Sequence, residues 1–355
     1  MSLLGDLSYR ESQAALSLTS DECDLVASFA NLRDVSYKGH SKPGQKLLND
    51  LNRRGYSAKQ YRNFLKTTST SQKKIHYRPK TKIAILIGNN NYTNLSNLAT
   101  PLTDCDNLAN SLRSLGFVAV VIKNITTSIL KKILDEIFSL VPQDSYCFIF
   151  YAGHGFELCN IKYMLCTDSP SIDIDSNLCI SEDCILHYAA QCRPELCVLI
   201  LDMCRVPLER ESNPKLYSTI PTLPDYKIDR NLFIVYSTQS EMSAYEVVQI
   251  ECSETVDNMS YVLKTGDSKL VVLGTSQYVA ALCKYLEDNY DVSAMLDKVH
   301  EDLENAPRKQ TPIKIQSGVA KRSLHDLATG NVTSLLKTLK DLISTDEFKE
   351  YCVCY

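Results

Sequence analysis

At 355 residues, the chain is longer than a typical compact domain, so we expect one large domain with an additional segment. Apolar residues make up 44% of the chain and charged residues 23%, which allows a sizeable core and excludes a disordered protein. The net charge of −4 offers no basic surface for nucleic acid, and the apolar runs are far shorter than the roughly 20 residues that cross a bilayer. Because residues 1–20 also lack the pattern of a signal peptide, we expect a soluble protein of the cytoplasm with neither nucleic-acid nor membrane partners.

The 14 cysteines are scattered along the chain without any CxxC pair, and the six histidines do not combine with them at zinc-site spacings. Without a secretion signal, the cysteines also do not indicate a disulfide framework. Cys352 and Cys354 lie close together at the C-terminus, where we expect a frayed end and no metal site. The sequence therefore predicts a protein of a reducing compartment that holds no metal and no cofactor.

Residues 1–71 are predicted to form a separate helical segment. Ala14–Leu32 and Gln45–Leu65 carry apolar residues at three-to-four spacing, interrupted by polar turns. Residues 72–81 follow with several lysines and arginines around Pro79, a composition typical of a solvated linker.

From Lys82 onward, short β-branched runs alternate with helical stretches. Strands are predicted at Lys82–Ile87, Phe117–Ile122, Tyr146–Tyr151, Cys197–Leu201, Asn231–Tyr236 and Pro312–Ile315. Helices are predicted at Thr103–Leu115, Thr126–Leu140, Ser181–Gln191, Ser276–Glu287, Val292–Leu303 and Val332–Ile343. This alternation predicts an α/β fold over residues 82–325, an α/β/α sandwich with a mainly parallel central sheet, followed by a helix and a charged tail over residues 326–355.

Residues with catalytic chemistry follow the carboxyl ends of the predicted strands, where functional groups collect in such sheets. Gly153-His154-Gly155 follows the third predicted strand, and Cys204 follows the fourth. Flanking glycines let a substrate approach the backbone, and a histidine near neutral pH can take the proton of a thiol that then attacks a carbonyl carbon. The alternative is that Cys204, like many cysteines, is only a small buried hydrophobe.

The motifs of this region resemble those of caspase-like cysteine peptidases. His154 precedes Cys204 by about 50 residues, which is the spacing of the caspase signature. The cysteine box reads Asp202-Met203-Cys204-Arg205, where caspases have Gln-Ala-Cys-Arg-Gly, and the closer resemblance is to animal paracaspases of the MALT-lymphoma translocation type. This resemblance extends from about Lys82 to about Leu324, and four motifs carry it: Lys82–Asn89, Pro101–Asp104, Tyr151–Gly155 and Leu201–Arg205.

The resemblance implies a caspase-like fold and a role for each of three residues at the strand ends. His154 is expected to be the general base and Cys204 the nucleophile. The backbone N–H groups of Gly155 and Cys204 are expected to form the oxyanion hole.

Paracaspases cut after arginine with acidic residues in the S1 pocket, and the resemblance places these acids at Asp104, Asp202 and Glu246. Clustered carboxylates repel each other unless a cation enters, and a planar guanidinium can donate to two of them at once. We therefore expect arginine to be preferred over lysine by about 2 kcal/mol. The alternatives are that Asp104 only stabilises a helix N-terminus and that Glu246 is a solvated surface residue.

The resemblance also implies a symmetric homodimer, formed by the edge strand and by the predicted helices Ser276–Glu287 and Val292–Leu303. The alternative is that the apolar positions of these two helices belong to the intramolecular core. An adaptor with a caspase-recruitment domain is the implied partner. Within Pro43–Lys66, the sequence around Gly55-Tyr56-Ser57 resembles part of a death domain, which is partial or divergent here. The immunoglobulin-like domains that flank the peptidase in its relatives are not recognisable in this sequence.

The leading hypothesis is a cysteine endopeptidase that cleaves protein substrates after arginine in intracellular signalling. The first alternative is a catalytically weak or inactive scaffold that assembles signalling partners. The second alternative is a calcium-dependent metacaspase, whose cysteine box typically reads Asp-x-Cys-His-Ser-Gly. In this chain Cys204 is followed by Arg205-Val206-Pro207, which disfavours that reading.

Overall fold

The computed structural model describes residues 23, 39, 41–53, 77–176, 179–204, 208–218, 223–228, 230–238, 247–249, 260–265, 268–306, 310–318 and 320–355. The chain divides into two compact units, residues 1–76 and 77–355. In the first unit, helix α1 (Pro43–Arg53) buries Leu47, Leu48 and Leu51 on one face. Apart from Cys23, the remainder of the two helices predicted before residue 66, and with it most of the death-domain resemblance, lies outside the described residues.

The second unit contains the following described elements in chain order. Its strands are β1 (Lys82–Gly88), β2 (Val118–Lys123), β3 (Tyr146–Ala152), β4 (Gly155–Leu158), β5 (Ile161–Met164), β6 (Ile180–Ser181), β7 (Leu196–Asp202), β8 (Leu232–Tyr236), β9 (Val247–Gln249), β10 (Ser260–Thr265), β11 (Ser268–Leu273), β12 (Ile313–Ser317) and β13 (Cys352–Cys354). Its helices are α2 (Pro101–Ser114), α3 (Thr127–Leu140), α4 (Glu182–Ala190), α5 (Pro214–Ser218), α6 (Gln277–Leu286), α7 (Val292–Asn305) and α8 (Val332–Ile343).

A seven-stranded sheet forms the centre of this unit, in the order β12-β8-β7-β3-β1-β2-β13. The five inner strands run parallel, and β12 and β13 run antiparallel at the two edges. Two smaller antiparallel sheets, β4-β5-β6 and β9-β11-β10, accompany it. The prediction of a mainly parallel central sheet is confirmed.

Helices cover both faces of the central sheet. Along β1, the side chains of Ile83, Ile85 and Ile87 pack on the face covered by α3, α4 and α8. Ala84 and Leu86 alternate with them and pack on the opposite face, under α2, α6 and α7. A strand buried on both faces has to be apolar at every position, which is why β1 reads as one continuous apolar run. The predicted three-layer α/β/α sandwich is confirmed.

The chain terminus differs from its prediction. We expected a frayed end, whereas Cys352 and Cys354 are buried in β13, which pairs with Val120 to Ile122 of β2. Tyr355 and Ala119 exchange two further backbone hydrogen bonds. The expectation was wrong because the edge of β2 supplies unpaired backbone groups and the apolar surface next to α8 accepts the alternating cysteine side chains.

The register of the inner strands brings three chain segments together at one edge of the sheet. Gly88, Ala152 and Asp202 lie side by side at the carboxyl ends of β1, β3 and β7. The residues that leave these strands therefore enter the same region of space. Among the described helices, none has the length and apolar character needed to cross a membrane.

Candidate active site

A pocket of about 70 Å³ lies at the carboxyl ends of β3 and β7. Four of the predicted site residues line it: His154, Cys204, Asp104 and Asp202. Ala152 and Asp202 are partners in the sheet, so His154 and Cys204 each stand two residues beyond paired positions. The parallel register is thus what brings a histidine and a cysteine from distant parts of the sequence to one site.

The ring of His154 is held in a single tautomer by a backbone carbonyl. Its Nε2 atom lies 2.7 Å from the carbonyl oxygen of Ser96. A carbonyl oxygen only accepts hydrogen bonds, so Nε2 carries the proton of the neutral ring and Nδ1 is unprotonated. The imidazole is therefore prepared to accept a proton at Nδ1. Sequence reasoning missed Ser96, because its shorter contact with Nε2 is made by the backbone carbonyl, while its hydroxyl lies farther away, at 3.4 Å.

The backbone around His154 is fixed by two tyrosines. The N–H of His154 donates to the hydroxyl of Tyr92 at 2.8 Å, and the Tyr92 ring lies 4.7 Å from the imidazole between centroids. The carbonyl oxygen of His154 accepts from the hydroxyl of Tyr151 at 2.7 Å and from the N–H of Leu165 at 2.9 Å. These contacts orient the loop, so the position of the imidazole does not depend on its side-chain bond to Ser96 alone.

Close packing requires the glycines that flank His154. A Cβ atom at Gly153 would lie 2.6 Å from the hydroxyl oxygens of both Tyr151 and Tyr92. A Cβ atom at Gly155 would lie 2.2 Å from Sδ of Met203, the buried residue directly before Cys204. The loop after β3 and the cysteine loop therefore touch at a point where only glycine fits.

The N–H group of Gly155 points away from the small sheet. The N–H of Leu165 donates to the carbonyl of His154, so these two residues form a hydrogen-bonded pair. Hydrogen-bonded and non-hydrogen-bonded pairs alternate along an antiparallel ladder, so the next pair, Gly155 with Met164 of β5, is a non-hydrogen-bonded one. The N–H of Gly155 is consequently directed out of the β4-β5 ladder. Such an N–H is available to a substrate oxygen, as expected of an oxyanion-hole donor. The other predicted donor belongs to Cys204, which is half-buried just beyond β7.

Asp104 and Asp202 form a buried acid pair joined through one serine. Asp104 lies in the first turn of α2 and is 1% exposed, whereas Asp202 ends β7 and is 7% exposed. The N–H of Ser276 donates to Oδ1 of Asp104 at 2.6 Å, and the hydroxyl of Ser276 donates to Oδ2 of Asp202 at 2.8 Å. The hydroxyl of Thr275 also donates to Oδ1 of Asp104. Thr275 and Ser276 were not anticipated from the sequence, where they look like an ordinary helix start.

Electrostatics favours a cation at this pair. Burial, followed by the neighbouring carboxylate of Asp202, raises the pKa of Asp104 to about 7. Burial also raises the pKa of Asp202. Oδ2 of Asp104 is buried and has no hydrogen-bond donor in normal geometry among the described residues. A positively charged group in the pocket would stabilise the ionised pair and provide a donor for this oxygen.

The third predicted acid, Glu246, lies outside the described residues, immediately before β9. Its position relative to the pocket stays a prediction. The cysteine box is described through Cys204, and Arg205, Val206 and Pro207 also lie outside the described residues.

Comparison with known proteins identifies a family for this part of the chain. The peptidase C14 model, described as the caspase domain, matches residues 81–323. The mucosa-associated lymphoid tissue lymphoma translocation protein 1 of Homo sapiens is 27% identical over 74% of this chain, and its homolog from Mus musculus is 32% identical over 47%. The aligned regions span only 29% and 19% of the lengths of these two relatives.

A solved structure, that of caspase-1 from Spodoptera frugiperda, aligns at 16% identity with a TM-score of 0.47, over 72% of this chain and 93% of that chain. The family model covers every strand of the central sheet except β13, together with the loops that carry His154 and Cys204 and the acid pair. The chain belongs to the caspase-domain family of cysteine peptidases and is similar, within that family, to the lymphoma-translocation paracaspases.

Proposed function

We propose that this chain is a cysteine endopeptidase that cleaves protein substrates after arginine and acts in cytoplasmic signalling. One observation carries this proposal. The buried acids Asp104 and Asp202 line the same pocket as His154 and Cys204, so a basic side chain held by the acids lies next to the reacting groups. The resemblance to paracaspases supports the same assignment.

In the proposed reaction, Nδ1 of His154 takes the proton of the Cys204 thiol, and the sulfur attacks the carbonyl carbon of the scissile bond. The N–H groups of Gly155 and Cys204 donate to the oxyanion that forms. When the carbon–nitrogen bond breaks, the imidazolium returns its proton to the leaving amine and a thioester remains. A water molecule deprotonated by the same imidazole then hydrolyses the thioester, which regenerates the thiol and releases the acid.

The proposed selectivity for arginine follows from the chemistry of the acid pair. A guanidinium is planar and donates along parallel N–H bonds, so it can serve one oxygen of each carboxylate. The ammonium group of lysine is a compact charge and does not present such a pair of parallel N–H bonds. Since a hydrogen bond to a charged group is worth about 1.5–3 kcal/mol, we expect arginine to be preferred over lysine by about 2 kcal/mol. Glu246 is proposed as the third acid of this subsite.

Purified protein tested with fluorogenic tetrapeptides that end in arginine, lysine or aspartate provides the direct measurement. The assay should be run with and without calcium, and in citrate, a salt chosen to favour association by strengthening the burial of apolar surface. Turnover selective for arginine, independent of calcium and lost in Cys204→Ala would support the proposal.

Each other result points to a different function. Cleavage after aspartate would contradict the assignment of the acids to S1, and a calcium requirement would favour a metacaspase-like enzyme. No turnover even under dimer-promoting conditions would favour a scaffold that assembles partners, such as an adaptor with a caspase-recruitment domain.

We further propose that the active form is a symmetric homodimer. β12 forms one edge of the central sheet, and Ile315 in its middle is 49% exposed. An edge strand with an exposed apolar side chain is a ready surface for pairing with a second copy.

A further inference from the structure

Ser276 makes three hydrogen bonds, a combination that no other described residue lining the pocket makes. Its hydroxyl oxygen accepts from the N–H of Val279 at 3.2 Å and so caps α6. The same hydroxyl donates to Asp202, and the backbone N–H of Ser276 donates to Asp104. A hydroxyl has one proton, and an ionised carboxylate only accepts, so the direction of the bond to Asp202 is fixed.

These bonds determine which carboxylate oxygens remain for a ligand. Oδ1 of Asp104 accepts hydrogen bonds from Ser276 and Thr275. Oδ2 of Asp104 is buried and receives no hydrogen bond from the described residues. Oδ2 of Asp202 accepts a hydrogen bond from the hydroxyl of Ser276. The start of α6 also contributes the partial positive charge of a helix N-terminus, which stabilises two nearby negative groups.

We infer that Ser276 is a positioning residue of the arginine subsite, which locks Asp104 and Asp202 in the one arrangement that lets a single guanidinium bond to both. This inference rests on the proposed function. Ser276 acts through the two carboxylates, while the reacting atoms belong to His154 and Cys204. Loss of its hydroxyl should therefore weaken binding of arginine without slowing the chemical step.

Two substitutions separate the hydroxyl from the cap. Ser276→Gly removes the hydroxyl, keeps the backbone N–H to Asp104 and costs only a few tenths of a kcal/mol as a cap. Ser276→Thr keeps the hydroxyl, the N–H and the cap. In Ser276→Gly we expect KM for arginine peptides to rise about tenfold or more, since a bond to a charged group is lost, while kcat changes little. The ratio of arginine to lysine turnover should fall by a similar factor, and Ser276→Thr should restore both values.

Ser181 provides a matched control. It caps α4 in the same way, since its hydroxyl accepts from the N–H of Cys184 at 3.2 Å, and it is likewise buried, at 2% exposure against 6% for Ser276. It does not line the pocket. Ser181→Gly should leave KM and the arginine-to-lysine ratio unchanged in the full chain, measured with the same peptides in citrate.

The outcomes distinguish this inference from the proposed function. A KM increase confined to Ser276→Gly, with recovery in Ser276→Thr, supports the role of Ser276. An unchanged arginine-to-lysine ratio in Ser276→Gly, or an equal effect of Ser181→Gly, overturns it while arginine-directed activity stands. If the unaltered protein does not prefer arginine, the proposed function fails and the inference fails with it.

Discussion

Asp104 is in an unfavourable place for a carboxylate when no ligand is bound. Its pKa of about 7 in the folded protein lies well above the ordinary value of 3.8, because burial and the charge of Asp202 oppose ionisation. Well below pH 3.8 the group is protonated in both states and no longer makes the stability depend on pH. Between 3.8 and about 7 the unfolded chain loses the proton first, so the folded state loses stability as the pH rises.

Replacing this one carboxylate should therefore stabilise the free protein. We expect Asp104→Asn to raise the free energy of unfolding by roughly 4 kcal/mol at most at pH 8, and by less than half of that at pH 5. Urea unfolding at the two pH values measures the difference in unfolding free energy between the variant and the original protein. Asp341 is exposed, so Asp341→Asn is the control for the loss of a charge that is not buried. The same variant should lose turnover of arginine peptides. A stability gap that is equal at pH 5 and pH 8 would show that Asp104 is not held in this unfavourable state.

The residues of the site differ in how readily they can be identified from the sequence. His154 and Cys204 could be singled out because each follows an apolar strand, glycines flank His154, and the spacing of the two residues resembles the caspase signature. Ser276 could not, because its role depends on contacts with Asp104 and Asp202, which are 172 and 74 residues away along the chain. Ser96 is harder still to identify, since its shorter contact with Nε2 of His154 is made by its backbone carbonyl oxygen.

At the level of elements, burial on two faces decided which strands could be predicted. β1 was expected at Lys82–Ile87 and is found at Lys82–Gly88, because a fully buried strand is a continuous apolar run with sharp ends. Helix α2 starts at Pro101, two residues before the prediction, since proline suits the first helical turn. The strands β4, β5 and β6 were missed because segments of two to four residues are set by their partners and not by a local pattern.

Strand β13 offers a test of an element that the sequence did not predict. The hydrogen bonds of Tyr351 with Lys123 and of Tyr355 with Ala119 put Val353 in a hydrogen-bonded pair with Val121. Val353→Pro removes a ladder bond, so we expect a loss of roughly 1–3 kcal/mol in the free energy of unfolding. Val353→Ala, which changes only an exposed side chain, should stay within about 0.5 kcal/mol of the original protein. Equal unfolding midpoints in urea for the two variants would contradict the pairing of β13 with β2.

At the level of the whole molecule, the proposed dimer depends on β12. A charge at the exposed apolar position in the middle of this edge strand opposes pairing of two copies, so we expect Ile315→Lys to be monomeric and to lose most of its turnover. Sedimentation velocity with a parallel peptide assay measures both properties. Ile172, which is 63% exposed against 49% for Ile315 but lies outside the central sheet, provides the control as Ile172→Lys. A dimeric, active Ile315→Lys protein would place the contact elsewhere.

The pairing of β13 with β2 limits how the central sheet can grow. A sheet with two long open edges can add copies at both and extend into a polymer without a natural end. Here β13 already pairs with β2, so the backbone groups at the edge of β2 are not open, while β12 forms the other described edge of the central sheet. Among the described strands of the central sheet, β12 thus offers the edge for pairing, and assembly through that edge stops once two copies have paired with each other.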